Sequence, residues 1–296
     1  MSEITLPNLK PQGQKIVLVT GAASGIGLAT AQLFAQQGAK VILVDLSTSK
    51  LKAAADKIGH DCDFRACDVS SWEQQVSLFD WVVRTHGAPE VVCLNAGIDP
   101  EIETWISDTA KQQVDSNYLA DDFEELDDPA GGQRQLKPPP KSILDVNYYG
   151  VLYGTKLAVH HFKTGTPGRI VVTGSAASHI AFPDHDMYNA SKHALIGLVR
   201  STSQRQSLKE RNISISMVAP WLTRTGITAN LSAELIARVA GEQEASQPED
   251  VARGIAYLGT AEDANEVNGK CLWVRGQRYI EIEKAYTQWL GGMMAI

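Results

Sequence analysis

Short apolar runs alternate with segments of helical periodicity along most of the chain, and this alternation restricts the fold more than any other feature. Residues 15–20 (KIVLVT) have the near-continuous apolar character of a strand buried on both faces. Further strands are predicted at 41–44, 63–67, 91–94, 169–173, 213–219 and 269–274, and helices at 25–37, 47–58, 72–85, 143–162, 188–209 and 248–258. The pattern predicts βαβ crossovers, and therefore an α/β fold whose parallel sheet is covered on both faces. Such sheets bind ligands at the carboxyl ends of their strands.

Composition and charge exclude several other classes of protein. The 296 residues are 44% hydrophobic, enough to bury a core without disulfides or metal. The net charge of −7 argues against nucleic-acid binding, and no apolar run is long enough for a membrane span. Residues 1–8 lack the apolar run of a secretory signal, and the four cysteines form no C-x-x-C pair. We therefore expect a cytoplasmic protein with reduced thiols and no metal site.

A glycine-rich run, residues 20–27 (TGAASGIG), lies between the first predicted strand and the first predicted helix. Glycines in this position let the backbone turn sharply and approach a pyrophosphate, and the helix N-terminus adds free N–H groups. The residues predicted to bind a dinucleotide here are Gly21, Ala23, Ser24, Gly25, Ile26 and Gly27.

Asp45 ends the second predicted strand, 18 residues after Gly27. A carboxylate there can accept hydrogen bonds from both adenosine ribose hydroxyls and would repel a 2′-phosphate. No Lys or Arg stands at 46–49, so NAD is favoured over NADP. Other residues predicted to line the cofactor are Leu46, Asp68, Val69, Asn95, Ala96 and Gly97. The Asp68–Val69 pair, taken by itself, fits a surface turn equally well.

The sequence YNASK places Tyr188 and Lys192 four residues apart, on one helical face. An ammonium beside a phenol lowers the pKa of the phenol, so Tyr188 is a candidate proton donor and acceptor. Ser175 ends a predicted strand, where its hydroxyl can reach a substrate oxygen, and Asn147 can complete a relay. Taken singly, YxxxK is common by chance and such a serine is usually a turn residue.

Together these motifs resemble the classical short-chain dehydrogenase/reductase family. The elements TGAASGIG, Asp68–Val69, Asn95–Ala96–Gly97, Asn147, Ser175, YNASK and PWLTRT (residues 220–225) occur in the family's order across residues 14–280. Residues 188–201 are also similar to the NAD-dependent 15-hydroxyprostaglandin dehydrogenase branch. The sequence as a whole is similar to those of fungal secondary-metabolite dehydrogenases.

The resemblance implies one Rossmann-like doubly wound domain, spanning residues 1–296, with a seven-stranded parallel sheet. It implies a catalytic tetrad in which Tyr188 is the acid/base, Lys192 lowers its pKa and holds the nicotinamide ribose, Ser175 holds the substrate oxygen, and Asn147 holds a relay water. It also implies that Pro220, Thr223 and Thr225 contact the cofactor. The family's dimer-forming helices correspond to 143–162 and 188–209, so a homodimer or homotetramer is expected.

Two features depart from the family's pattern. Trp221 follows Pro220 where the family usually has glycine, so this backbone either has ordinary dihedral angles or carries strain. The segment 98–141 is longer than usual and holds an acidic block and a Pro-Pro-Pro run. It fits a solvated insertion that contains a short helix, a flap over the site or a partner-binding segment. A lid is expected over residues 221–247, with a helix at 232–240. The tail over 276–296 is apolar and is expected to pack on this subunit or on a neighbouring one.

The predicted substrate pocket is apolar. Residues 176–187 follow Ser175 and supply one wall, in which His185 is the candidate polar contact and His179, Phe182 and Met187 are further candidates. Trp221 and the lid's Leu231, Leu235, Ile236 and Val239 indicate a fairly large, apolar secondary alcohol or ketone. The leading hypothesis is therefore an NAD-dependent alcohol dehydrogenase. A non-redox dehydratase, isomerase or cyclase, and a nucleotide sensor with a dormant tetrad, remain as alternatives.

Overall fold

The computed structural model describes residues 2–59, 62–102, 123–125, 134–232, 234, 236 and 245–294. The strands are β1 (Ser2–Ile4), β2 (Ile16–Thr20), β3 (Lys40–Asp45), β4 (Cys62–Ala66), β5 (Val91–Leu94), β6 (Phe123–Glu125), β7 (Arg134–Leu136), β8 (Gly168–Thr173), β9 (Ile213–Pro220), β10 (Cys271–Arg275) and β11 (Arg278–Glu281). The helices are α1 (Gly25–Gln36), α2 (Thr48–Ile58), α3 (Trp72–Thr85), α4 (142–161), α5 (Asp186–Ser203), α6 (Gln206–Glu210), α7 (Pro248–Thr260), α8 (Ala264–Val267) and α9 (Glu283–Met294).

The central sheet has nine strands in the order β1-β11-β10-β9-β8-β5-β2-β3-β4. The seven strands from β10 to β4 are parallel, which confirms the predicted α/β sheet. Two antiparallel strands, β11 and β1, extend one edge and were not predicted. β1 is only three residues long, which is too short for a hydrophobic periodicity that would predict a strand.

The parallel strands are buried on both faces because helices cover each side. Every residue of β2, β5, β8 and β9 is buried. Side chains alternate along a strand, so Leu18 joins one apolar cluster while Val17 and Val19 join the other. The cluster around Leu18 includes residues of α3, α4 and α5, and the opposite cluster includes residues of α1, α2 and α7.

Two predicted helices differ in detail from the observed ones. The helix predicted at 143–162 is α4, which contains a π-helical turn over Asp145–Tyr149. The helix predicted at 188–209 begins earlier, at Asp186, and is divided into α5 and α6. α5 ends at Ser203, whose carbonyl accepts a hydrogen bond from Asn268 Nδ2 at 2.8 Å. The Ser203 carbonyl therefore bonds to a residue outside the helix. The prediction of one continuous helix over 188–209 is wrong at this point.

The long insertion has local structure in its described residues. A 3₁₀ turn covers Pro100–Ile102, and β6 pairs antiparallel with β7. Among the described residues of the insertion, this turn is the only helical segment. Residues 103–122 and 126–133, which include most of the acidic block, lie outside the described residues, so the predicted short helix is not tested there.

The predicted lid and tail are partly described. Leu231 and Ile236 are buried, whereas Leu235, Val239 and most of the predicted lid helix lie outside the described residues. The tail forms β11 and α9. Arg200 of α5 forms two hydrogen bonds with the Glu283 carboxylate, at 2.7 and 3.0 Å, which ties α9 to the core. Trp289 of α9 is 60% exposed, so the expected apolar packing of the tail is incomplete in the single chain. No helix among the described residues is long and apolar enough to cross a membrane.

Candidate active site

A cavity of about 380 Å³ lies at the carboxyl ends of the parallel strands. Most of the predicted cofactor, substrate and catalytic residues line it. The described residues that do not are Ala23, Gly27, Asn147, His179, Met187, Leu231 and Ile236. The predicted residues that line the cavity are Gly21, Ser24, Gly25, Ile26, Asp45, Leu46, Asp68, Val69, Asn95, Ala96, Gly97, Ser175, His185, Tyr188, Lys192, Pro220, Trp221, Thr223 and Thr225. Tertiary folding therefore gathers motifs that are separated by up to about two hundred residues.

The glycine-rich turn needs glycine because the backbone folds tightly on itself. Gly21 has a φ of +66°, which favours glycine, and a Cβ there would lie 3.0 Å from Asn95 Nδ2. A Cβ on Gly27 would collide with the Gly21 carbonyl oxygen and lie 2.7 Å from Asn95 Nδ2. Gly27 thus acts behind the cavity, by keeping α1 close to β2. The N–H groups of the first turn of α1 have no partners within the helix, so this turn fits an anionic group.

Two backbone N–H groups hold the carboxylate of Asp45. Oδ1 accepts a hydrogen bond from Leu46 N at 2.8 Å, and Oδ2 accepts one from Ala23 N at 3.2 Å. Ala23 thus reaches the site through Asp45 rather than by lining the cavity. A fixed, half-buried carboxylate at the end of β3 fits a pair of ribose hydroxyls.

Three other strand ends are held by hydrogen bonds or packing. The side chain of Thr20 accepts hydrogen bonds from the N–H groups of Asn95 and Ala96, at 2.9 and 3.0 Å, which joins β2 to β5. Oδ1 of Asp68 accepts two hydrogen bonds from Ser70, at 2.6 and 2.9 Å, while Val69 packs where a Cβ on Gly150 would lie. These contacts hold small side chains and one acidic side chain along the cavity wall.

Ser175, Tyr188 and Lys192 meet on one wall of the cavity. A side-chain hydrogen bond joins Tyr188 to Ser175, and Lys192 Nζ lies 5.6 Å from the centre of the Tyr188 ring. Lys192 Nζ also donates a hydrogen bond to the carbonyl of Thr173 at 3.1 Å. The spacing of four residues on α5 brings the phenol and the ammonium to the same side of the helix, as predicted.

Asn147 lies directly behind this wall, within the π-helical turn of α4. Its Oδ1 accepts a hydrogen bond from Ile98 N at 2.8 Å, and its Nδ2 donates to Ile98 O and to Ser191 Oγ, at 2.9 and 3.1 Å. A Cβ on Gly97 would lie 3.2 Å from Asn147 Oδ1 and 3.4 Å from Lys192 Nζ, so glycine leaves room for both. Asn147 therefore ties α4 to the end of β5 and to α5.

Burial shifts the pKa of both ionisable groups in this set. Burial raises the pKa of the Tyr188 phenol, the carboxylate of Asp99 raises it further, and the hydrogen bond with Ser175 lowers it. Burial lowers the pKa of Lys192 to about 8, although Asp99 partly opposes this shift. In the chain by itself, the pKa of Tyr188 therefore lies above its usual value. This differs from the expectation that Lys192 brings the pKa toward neutrality, because burial and the carboxylate of Asp99 both raise it.

The site and fold have clear relatives. A family model of short chain dehydrogenases matches residues 15–236. The chain belongs to the short-chain dehydrogenase family. It is 29% identical over 275 residues to a short-chain dehydrogenase/reductase of Acremonium egyptiacum, covering 92% of this chain and 81% of that protein. This relative confirms the resemblance to fungal members of the family.

Two further similarities span nearly the whole chain. It is 30% identical over 282 residues to the mitochondrial (−)-isopiperitenol/(−)-carveol dehydrogenase of Mentha piperita, covering 92% of this chain and 96% of that protein. The crystal structure of a 3-ketoacyl-(acyl-carrier-protein) reductase from Brucella melitensis, complexed with NADH, matches with a TM-score of 0.71 and 23% identity. That match covers 89% of this chain and 98% of the reductase, and it confirms the fold. Family membership makes the protein an oxidoreductase of the dehydrogenase/reductase type.

This short-chain dehydrogenase carries two buried carboxylates that the sequence reasoning missed. Asp99 lines the cavity, its side chain is 6% exposed, and its Oδ2 lies 3.7 Å from His185 Nε2. Burial raises the pKa of Asp99 to about 7, although the ammonium of Lys192 lowers it. Glu101 is 2% exposed and accepts hydrogen bonds from the backbone N–H groups of Met187 and Tyr188, at 3.2 and 2.8 Å. The available signal is the presence of two acidic residues, two and four positions after the Asn-Ala-Gly motif. They lie at the start of the segment 98–141, for which a solvated insertion, a flap over the site and a partner-binding segment were all left open.

Trp221 forms an aromatic wall of the cavity. Its ring lies 5.8 Å from that of Phe182 and stacks on Trp273 at 5.9 Å. Its backbone N–H donates to the carbonyl of Val274 at 2.8 Å, and its φ is not positive, so tryptophan fits here without the strain considered above. Of the other predicted wall residues, His179 and Met187 do not line the cavity. The ring of His179 points to Cys271 instead, with Nε2 3.5 Å from Sγ.

The segment after Trp221 returns to the glycine-rich turn. Thr223 donates a hydrogen bond to the carbonyl of Trp221 at 2.9 Å, and a Cβ on Gly25 would lie 3.3 Å from the side chain of Thr225. The start of the predicted lid therefore closes one side of the cavity. No group of His, Cys, Asp and Glu side chains within the described ranges could hold a metal ion.

Proposed function

We propose that this protein is an NAD-dependent dehydrogenase that interconverts a secondary alcohol and its ketone. The observation that carries the proposal is the meeting of Ser175, Tyr188 and Lys192 in a cavity that also contains the glycine-rich turn and Asp45. A dormant nucleotide sensor would not need the three side chains in this arrangement.

The residues fit a bound nicotinamide dinucleotide. The tight turn that Gly21 and Gly27 allow would hold the pyrophosphate, Asp45 the adenosine ribose, and Lys192 the nicotinamide ribose. The bound cofactor supplies the hydride acceptor in oxidation and the hydride donor in reduction. The fixed carboxylate of Asp45 supports NAD over NADP, since a 2′-phosphate would meet a negative charge there.

Side chains of this protein accept and donate the proton of the substrate hydroxyl. In oxidation, Tyr188 Oη takes the proton of the substrate hydroxyl, and in reduction it returns that proton to the carbonyl oxygen. Ser175 holds the same substrate oxygen and the phenol, since its hydroxyl bonds Tyr188. With a cofactor bound, the ammonium of Lys192 would favour the phenolate form of Tyr188. Asn147 fixes α5 relative to the segment after β5, through its hydrogen bonds to Ser191 and Ile98.

The substrate proposed is a fairly large alcohol with a mainly carbon skeleton. The apolar side chains that line the cavity include Ile98, Ile102, Phe182, Trp221 and Leu222. Burying apolar surface against such walls contributes roughly 25 cal/mol per Å². Turnover restricted to small, strongly anionic alcohols would contradict this substrate class.

The experiment has two steps. Calorimetric titration of the purified protein with NAD and with NADP measures cofactor choice. A panel of apolar secondary alcohols is then scanned for growth of the reduced-nicotinamide absorbance. We expect NAD to bind more tightly and at least one alcohol to be oxidised. Tighter binding of NADP would overturn the role given to Asp45, and NAD binding without turnover of any alcohol or ketone would overturn the dehydrogenase proposal.

A further inference from the structure

Two aromatic side chains, Phe182 and Trp221, form a pair on the cavity wall. Their ring centres are 5.8 Å apart, and both residues line the cavity. Trp221 also stacks on Trp273, with ring centres 5.9 Å apart and ring planes inclined by only 20°. Trp273 does not line the cavity, so it supports the Trp221 ring from outside. The pair is therefore the cavity-facing end of a longer row of rings.

Hydrogen bonds fix the backbone of both members of the pair. Trp221 N donates to the carbonyl of Val274 at 2.8 Å, which holds the end of β9 to β10. Phe182 N donates to Asn189 Oδ1 at 3.3 Å, and Asn189 Nδ2 donates to the Phe182 carbonyl at 2.7 Å. Asn189 is buried and follows Tyr188 in α5. The pair therefore keeps a fixed position relative to the helix that carries Tyr188.

The pair also lies close to Ser175. β8 and β9 are parallel neighbours, and Gly174 N donates a hydrogen bond to the carbonyl of Val218 at 2.8 Å. Ser175 comes two residues after the end of β8, and Trp221 follows β9 directly, so both leave the sheet at its carboxyl edge. Neighbouring strands lie about 4.8 Å apart. A substrate oxygen held by Ser175 therefore places the attached carbon skeleton within reach of Trp221.

We propose, on the basis of the proposed dehydrogenase function, that the Phe182–Trp221 pair selects substrates with an unsaturated ring beside the reacting carbon. Aromatic rings attract each other beyond the effect of apolar burial alone, because the negative face of one ring meets the positive edge of another. A saturated ring of the same size lacks this attraction. It is also puckered, so fewer of its atoms reach contact distance from a flat, supported wall.

The substrate class that follows is narrower than an apolar alcohol. It is a ketone or secondary alcohol whose reacting carbon is attached to an aromatic or conjugated ring. The aliphatic side chains that line the same cavity, Ile98, Ile102 and Leu222, accept any carbon skeleton of suitable size. The selection for a ring therefore depends on the aromatic pair.

The test compares two ketones with one carbon skeleton. Tetralone and trans-decalone, each with its carbonyl next to the ring junction, differ in whether the second ring is aromatic. Each is titrated calorimetrically into the protein saturated with NAD, in which a ketone cannot be reduced. We expect tetralone to bind at least about threefold tighter, in keeping with the strength of aromatic pairs. Apolar burial alone would favour decalone, which has more hydrocarbon surface.

Variants assign this preference to the pair. Trp221→Leu removes the ring but keeps an apolar side chain, so the ratio of the two affinities should fall by about twofold or more. Trp221→Phe keeps a ring and should retain most of the ratio. The control is Trp289→Leu on α9, where the tryptophan is 60% exposed and outside the cavity, and it should retain the full ratio. If Trp221→Leu does not fold, Phe182→Leu provides the same comparison.

Several results would overturn this selection. They are equal binding of the two ketones, tighter binding of decalone, and no measurable binding of tetralone. A ratio unchanged in both Trp221→Leu and Phe182→Leu would also overturn it, as would a loss in Trp221→Phe as large as in Trp221→Leu. General damage to the cavity does not imitate the effect, because each ratio compares two ketones in the same variant.

A separate measurement tests the proposed function. Oxidation of NADH by either ketone supports the dehydrogenase, whatever the ratio of the affinities is. A ratio that depends on the pair, without hydride transfer to any ketone, supports the selection and overturns the dehydrogenase. If NAD does not bind, the proposed function fails, and the same ratios are measured on the protein alone.

Discussion

Oε2 of Glu101 accepts a hydrogen bond from the backbone N–H of Tyr188 at 2.8 Å. Oε1 accepts another from Met187, so a carboxylate from the turn after β5 caps the first turn of α5. Negative charge at a helix N-terminus is stabilising, and hydrogen bonds to charged groups are about twice as strong as neutral ones. The start of the insertion thereby positions the helix that carries Tyr188 and Lys192.

Removing this cap should weaken both stability and catalysis. Glu101→Ala leaves two buried N–H groups without their acceptor, which costs about 1–3 kcal/mol. We expect a melting temperature several degrees lower and a reduced kcat with little change in NAD affinity. Glu73→Ala, which removes an exposed first-turn glutamate of α3, is the control: it should lower the melting temperature less than Glu101→Ala does and leave kcat unchanged. An unchanged kcat in Glu101→Ala would show that the cap does not position Tyr188.

Gly27→Ala should abolish dinucleotide binding or folding. The added Cβ would collide with the Gly21 carbonyl oxygen, which is backbone and cannot move aside. The matched control is Gly197→Ala in α5, where a Cβ meets nothing within 4 Å. Because alanine is favoured over glycine in a helix interior by about 1 kcal/mol, this control should melt at an equal or higher temperature. Circular dichroism and calorimetry with NAD measure both effects, and normal NAD binding by Gly27→Ala would contradict the prediction.

Tyr188→Phe separates the enzyme from a sensor. It removes the hydroxyl that exchanges the proton but keeps the ring, so turnover should fall by at least about 100-fold, the usual contribution of a general acid or base. NAD affinity should stay within about threefold of wild type in calorimetric titration. Tyr153→Phe, a tyrosine of α4 that packs edge-on to Trp72 outside the cavity, is the control. Full turnover by Tyr188→Phe would rule out its acid/base role.

Asp45→Asn should relax cofactor choice. The amide keeps the size of the side chain and an acceptor oxygen, but it loses the charge that repels a 2′-phosphate. We expect the ratio of NAD to NADP affinity to fall by about tenfold or more. A tenfold change corresponds to about 1.4 kcal/mol less repulsion between residue 45 and the 2′-phosphate. Asp56→Asn, on the exposed face of α2, should leave the ratio unchanged. An unaltered ratio in Asp45→Asn would mean that cofactor choice is made elsewhere.

Asp99→Asn should change how stability depends on pH. The pKa of Asp99 rises from its usual 3.8 to about 7 on folding, so the folded state holds this proton longer than the unfolded state. Wild type therefore loses stability as pH rises from about 4 to about 7, while the asparagine variant has no such loss. The melting temperature of the variant minus that of wild type should grow across this range and then level off. A constant difference from acid to neutral pH would show that Asp99 titrates normally.

Patterns that lie within about twenty residues were readable from the sequence. The glycine-rich turn followed from its position between a buried strand and a helix, and Asp45 from its place at a strand end. Tyr188 and Lys192 followed from helical spacing, because residues four apart share a face in any α-helix. Each of these features depends on local backbone geometry, which short-range sequence patterns encode directly.

Long-range pairing was decided only in the folded chain. Glu101 and Tyr188 are 87 residues apart, and β1 pairs with a strand near the opposite end of the sequence. The pKa of Tyr188 also depends on long-range structure, because burial and the carboxylate of Asp99 raise it. Neither effect can be predicted from the residues next to Tyr188 in the sequence. Sequence periodicity therefore determined the α/β fold and the motifs. Tertiary packing decided which side chains meet and how water is excluded from them, because contacts and desolvation depend on distances in space rather than along the chain.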